Sequence, residues 1–236
     1  MIKSLAAIAF RVVLVLGVLA IGTSAMLAGP LVACSTIGTV SAWEAAGACI
    51  DESATYPLGD KIYTFVSNGT GTAIPTTWLF QVGDVTTSST SSFHTITLQA
   101  PGTSGDLLGP GTYTLDYTIS INPLLPDYSQ QYIDSASVSM NVNSGSGSTD
   151  TKDLFNSQGT SIGVVESING ATATIGLPNE HVVGVDETIV LGTGAILASF
   201  TDGFNEQVVP EPASMALMGA GLLALGGLLR RKKLAK

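Results

Sequence analysis

The ten residues Thr112–Ile121, TYTLDYTISI, alternate polar and apolar side chains without an error. Tyr113, Leu115, Tyr117, Ile119 and Ile121 face one way, and Thr112, Thr114, Asp116, Thr118 and Ser120 the other. A period of two belongs to a β-strand with one dry face and one wet face. Ser135–Val142 repeats the pattern, with Ala136, Val138, Met140 and Val142 inward. The same reading predicts strands over 61–66, 77–82, 93–98, 161–167, 171–177, 182–191 and 195–200. Turn-forming runs separate them: SNGTG, APGTSGDLLGPG, NPLLPD and INGA. The polar run Asn141–Asp153 reads as a long exposed connection. Many short strands without a fixed repeat predict an all-β fold, a single antiparallel β-sandwich.

Charge is unevenly spread. Between residues 34 and 209 only Lys61 and Lys152 are basic, against 17 acidic residues. Such a body repels phosphate backbones, which argues against nucleic acid as a partner. Cations and neutral polymers are compatible with it.

Lys3 and Arg11 precede the apolar run 12–21, and small residues follow. That order predicts an exported chain with a signal region over 1–33, cut after Ala25 or near Ala28 or Ala33. An uncleaved N-terminal anchor is the other reading. Leu31–Cys34, LVAC, has the form of a lipobox, which would leave Cys34 acylated and Cys49 unpaired. The alternative is a Cys34–Cys49 disulfide, as expected for two cysteines in an exported domain. Ser41 and Glu44 form a capping-box pattern and Gly47 a stop, so a short helix is expected to bring the two cysteines together. A metal pair would need more soft ligands than the chain has.

Candidate chemistry is sparse. Gly159-Thr160-Ser161-Ile162-Gly163 matches the nucleophile-elbow pattern, but a β-like stretch follows it where a helix is required. A triad would also need His181 with Glu166 or Asp150. His94 and His181 are the only histidines, and no metal-binding spacing contains them. Asp150 and Asp153, beside a Gly/Ser loop, offer two carboxylates to calcium without the full loop pattern. Asn68-Gly69-Thr70 has the form of a glycosylation sequon. Trp43, Trp78, Tyr56 and Tyr128 would form a sugar-stacking platform if exposed together; in a sandwich, core is the usual place for them. The expectation is no catalytic residue, no cofactor and no resident metal.

The chain closes with Val209-Pro210-Glu211-Pro212, an uncharged run over 213–229, and the cluster Arg230, Arg231, Lys232 and Lys233. As a helix the run is about 25 Å long, at the short end for a bilayer core of ~30 Å, and flanking arginines can snorkel. Basic residues stay cytoplasmic, which puts the acidic body outside. Hydropathy explains the helix and the cluster but gives no role to Pro-Glu-Pro.

Those three parts in that order resemble a PEP-CTERM protein-sorting signal. The resemblance implies a substrate of an exosortase, a transpeptidase-like membrane enzyme of Gram-negative bacteria that make extracellular polysaccharide. It further implies processing near Pro210, Glu211 and Pro212, then release or attachment at the outer surface. Cys34…Cys49 followed by LGDKIYTFV is also similar to an uncharacterised group of PEP-CTERM ectodomains. The expected organisation is a signal region over 1–33, a β-sandwich over 34–205 and a sorting signal over 206–236. The expected function is that of an exported, non-enzymatic surface or matrix protein, with the inner membrane as a transient location. A carbohydrate- or cation-binding module in a biofilm polysaccharide matrix is the alternative.

Overall fold

A computed structural model of the chain describes residues 31–51, 60–88, 91–102 and 107–209. The strands, in chain order, are β1 (Val32–Ala33), β2 (Ala48–Asp51), β3 (Lys61–Ser67), β4 (Thr72–Ala73) and β5 (Leu79–Ser88). Then come β6 (Ser91–Gln99), β7 (Gly111–Ile121), β8 (Gln131–Ser144) and β9 (Thr149–Phe155). The last four are β10 (Ser161–Ile168), β11 (Ala173–Glu180), β12 (Val182–Leu191) and β13 (Ile196–Val208).

They form two sheets, ordered β1-β2-β3-β7-β12-β9-β10 and β11-β8-β13-β6-β5, with β4 beside β7. The short β1–β2 and β4–β7 pairs are parallel and the others antiparallel. The expected all-β sandwich is present. Tyr113, Leu115, Tyr117, Ile119 and Ile121 line the inner side of β7, as the alternation predicts. Phe200 and Phe204 come from β13 on the facing sheet, and Tyr117 meets Phe204 edge-on at 6.4 Å between centroids.

One helix, α1 (Val40–Ala46), closes the side of the sandwich near β3 and β5. Its Trp43 is fully buried against Phe65, Phe80 and Tyr117, and donates its indole N–H to the Tyr63 carbonyl at 3.3 Å. The expected capping box is not used. Thr39 caps the helix, accepting from the Ala42 amide, while Glu44 accepts from the Asn68 side-chain amide at 2.8 Å. Gly47 ends the helix at φ 72°, a left-handed conformation suited to glycine.

The largest correction concerns Asn141–Asp153. Part of it is not a connection: β9 is paired on both sides, between β12 and the edge strand β10. β13 likewise continues from Phe200 to Val208, beyond the expected strand end and past Asn205, the expected edge of the body.

Candidate functional site

Strand parity puts charge inside this sandwich. On the first sheet, Lys61 of β3, Asp150 and Lys152 of β9 and Glu187 of β12 occupy inward positions. On the second, His94 of β6 and Asp202 and Glu206 of β13 do the same. Both lysines of the body are 0% exposed. Lysine is almost never buried without a partner, and each of these meets a carboxylate of the opposite sheet.

At one end of the interior, Lys61 Nζ lies 2.6 Å from Glu206 Oε2 and 3.3 Å from Asp60 Oδ2. His94 Nε2 is 3.3 Å from the same Glu206 oxygen, and Ser92 Oγ donates to that oxygen at 3.0 Å. Asp51 and Asp84 each place a carboxylate oxygen 3.7 Å from His94 Nδ1. Burial alone would raise the Glu206 pKa, but the His94 hydrogen bond and Lys61 outweigh it and lower it to about 2. Burial works against a charged His94, yet Asp51 and Glu206 leave its pKa raised. The cluster is an ion network with charges of both signs.

The second cluster is more acidic. Lys152 Nζ is in direct contact with Asp202 Oδ1 and donates to the Ser137 carbonyl at 3.0 Å. Tyr117 donates its hydroxyl to Asp202 Oδ2 at 2.5 Å. The Phe204 ring lies 5.4 Å from the ammonium. Beside this pair sit Asp150 and Glu187, both buried, whose carboxyl groups share a hydrogen bond with each other and find no other partner. Burial, with Asp202 adding repulsion, raises the Asp150 pKa to about 7 against the pull of Lys152. Burial, Asp150 and Asp202 hold Glu187 well above the usual carboxylate range.

Two sets of side chains have the spacing for a cation: Asp51, Asp60 and His94, and Asp150, Glu187 and Asp202, each with its ligand atoms within 4.8 Å. In both, a lysine ammonium already supplies positive charge to the carboxylates. A third acidic group lies on the outer face of the first sheet. Asp116, Asp186 and Asp153 stand in register on β7, β12 and β9. Asp116 and Asp186 edge a shallow groove that the turn Asn156–Gly159 borders. Burial and its two neighbours raise the Asp186 pKa to about 7.

The other expected residues fall as follows. Cys34 and Cys49 are joined in a disulfide, with 4.9 Å between their Cα atoms. Asp150 and Asp153 cannot share an ion, because an odd spacing on a strand puts them on opposite faces: Asp150 is buried and Asp153 exposed. Ser161 opens strand β10 rather than a helix, and His181 is stacked between Tyr128 at 4.4 Å and Tyr132 at 4.7 Å. Glu166 lies on β10 near Thr151, and Asp150 is in the core. Trp43 and Trp78 are both 0% exposed, so they offer no platform to a sugar. Tyr56, Pro210, Glu211, Pro212, Arg230, Arg231, Lys232 and Lys233 lie outside the described residues. Among the described residues no helix is long and apolar enough to cross a membrane.

Lys61, Lys152, Glu187, Asp202 and Glu206 were not singled out by sequence pattern. One signal was present: a body with 17 acids and two lysines has few ways to neutralise a buried carboxylate.

Fold and composition define an acidic all-β sandwich domain whose last strand leads directly into a short C-terminal segment. That segment carries a PEP-CTERM protein-sorting motif, matched over residues 208–232. No curated protein matches the chain in sequence. Among solved structures, the chain is similar to the TmCBM61 module in complex with β-1,4-galactotriose, at 9% identity and TM-score 0.29, covering 55% of this chain and 88% of that one. It is also similar to a β-1,3-glucan-binding CBM6 from Bacillus halodurans, at 11% identity and TM-score 0.24, covering 64% and 95%. CsCBM6-3 from Clostridium stercorarium, in complex with cellobiose, is similar at 13% identity and TM-score 0.19, covering 56% and 95%. Likeness at this level carries no argument about what this chain binds.

Proposed function

We propose that this is an exported, non-enzymatic protein of the cell surface or extracellular matrix, handled by an exosortase-type membrane enzyme near Pro210-Glu211-Pro212. The observation that carries the reading is the sorting motif, which begins at Val208, the last residue of β13. The last strand therefore meets the first residue of the motif. The disulfide supports export, since such bonds persist in oxidising compartments. The surface of the body supports a role beside neutral or cationic polymers: both of its lysines are internal, so no Lys or Arg side chain faces solvent between residues 34 and 209.

Mass spectrometry of the mature exported protein tests this. The expected product lacks both termini, with its new C-terminus near Pro210. Recovery of Lys236 on the exported form would contradict the reading.

A binding role on the same scaffold has one observation in its favour. Asp116, Asp186 and Asp153 lie in register on neighbouring strands, and the first two edge a groove, an arrangement that suits a hard cation or a hydroxyl-rich chain. Calcium titration followed by melting temperature separates the two readings. A saturable rise that Asp186→Asn abolishes supports binding, and no rise leaves the structural role.

A further inference from the structure

The Lys152 cluster has a composition that an ordinary ion pair does not explain. One ammonium faces three carboxyl groups in a site closed to water, and two of those carboxyls have no hydrogen-bond partner but each other. A permanent ion pair needs one carboxylate. The extra two acids raise the electrostatic cost of the core unless they have a task.

The geometry points to a covalent cross-link between the two sheets: an amide joining Lys152 Nζ to Asp202 Cγ, formed within the folded protein with Glu187 and Asp150 moving the protons. Lys152 Nζ already touches the Asp202 carboxyl group at Oδ1, one bond from the carbon it would attack. Tyr117 holds the other Asp202 oxygen at 2.5 Å, where negative charge develops when the carbonyl is attacked. Glu187 is the cross-strand neighbour of Lys152 and points to the same face, and one of its oxygens lies within 4.8 Å of an oxygen of Asp150 and one of Asp202. Fixed side chains in a packed core give an intramolecular reaction a high effective concentration.

The chemistry balances without any other reactant. The step begins when the Lys152 ammonium passes one proton to Asp202 Oδ1, which it touches, giving a neutral amine and a neutral acid. The Nζ lone pair attacks Cγ, and the C=O π pair moves to Oδ2, which accepts the Tyr117 hydrogen bond. Asp150, ionised, takes a proton from nitrogen. Glu187, protonated, gives one to the Oδ1 hydroxyl, which leaves as water while the carbonyl re-forms. Transfer of the proton from Asp150 to Glu187 resets the pair. The sum is –NH3⁺ plus –COO⁻ giving –CO–NH– plus water, with no change in oxidation state.

The Lys61 cluster serves as an internal contrast. Lys61 also touches a carboxylate, but Glu206 is gripped by Lys61, His94 and Ser92 and stays ionised. A carboxylate anion is a poor electrophile, and at Lys61 two further donors, His94 and Ser92, hold the carboxylate as an anion. One link is therefore expected, at Lys152.

The test is the intact mass of the mature exported protein after reduction, compared with the mass of the chain between its own measured termini. The expected mass is lower by one water. Asp202-Gly203 can also lose one water as a succinimide, so chymotryptic peptides decide the matter. Cleavage after Phe200 and Phe204 should yield Thr201–Phe204 joined to the fragment that holds Lys152. Recovery of both segments as separate linear peptides overturns the proposal, as does a loss of two waters traced to a second link at Lys61. Glu187→Ala should give a chain of full mass, and a linked Glu187→Ala protein would remove the assigned proton donor and overturn the mechanism. The wild-type peptide map does not depend on how that variant folds.

Discussion

Lys61 and Glu206 sit on opposite sheets, and the ammonium of one lies 2.6 Å from the carboxylate of the other with neither open to solvent. Breaking such a pair leaves an uncompensated charge in the core. Lys61→Met should cost about 3–5 kcal/mol, read from urea denaturation. Lys61→Met combined with Glu206→Leu should recover much of that loss, because both charges are then gone. A single-variant loss below about 1 kcal/mol would mean that water reaches the site.

Acid should unfold the protein through the same residue. The folded pKa of Glu206 is about 2, below the ordinary 4.5. Its stabilisation is therefore present above the ordinary value and lost as pH falls toward about 2. His94 is raised above 6.5, so its share is present below that value and lost as pH rises through the folded pKa. Asp186, raised from 3.8 to about 7, lowers stability as pH climbs between those values. The three trends place the highest melting temperature at about pH 4, where the gain from Glu206 ends and the loss from Asp186 begins. A maximum in alkaline solution would show that these groups do not govern stability.

Asp186 itself is a candidate for stabilisation. Its carboxylate stands between Asp116 and Asp153 on neighbouring strands. Asp186→Asn removes a half-buried charge and two repulsions. The melting temperature should rise at pH 8, and the gain should shrink toward pH 4, where the folded wild-type group is already protonated. Equal gains at both pH values would point to packing instead.

The disulfide closes a loop with a sequence separation of 15 around α1. Replacing Cys34 and Cys49 with serine should cost about 3 kcal/mol. The matched control is wild type under reductant, which should unfold at nearly the same urea concentration. If reductant has no effect on the wild-type midpoint, the bond contributes nothing to the folded state.

Strands with apolar inner faces were legible in the sequence. β7 and β12 could be read nearly to the residue, because alternation of Leu, Ile, Val and Tyr with Thr and Ser is the signal that burial leaves. β9 was not legible, for a physical reason. Its inward positions are Asp150, Lys152 and Leu154, so two of the three buried side chains carry charge and the stretch reads as a polar loop. The far half of β13 was hidden in the same way by Asp202 and Glu206. Gly203 added to this, although it is needed there: a Cβ on it would collide with the Phe93 ring and with Ser137 Oγ. Thus the residues that conceal these strands are the residues that make the two interior clusters. Pairing between lysines and acids far apart in sequence leaves no local pattern, whereas the disulfide and the sorting motif are short-range and were readable.

β13 is hydrogen-bonded on both sides, to β8 and to β6, and the sorting segment leaves from its C-terminal end. Tension applied along the axis of β13 would act at right angles to its ladder hydrogen bonds. The bonds would then be loaded together in shear instead of being peeled one after another. A domain tethered by its tail in a flowing or contracting matrix would meet force at a strand bonded on both sides.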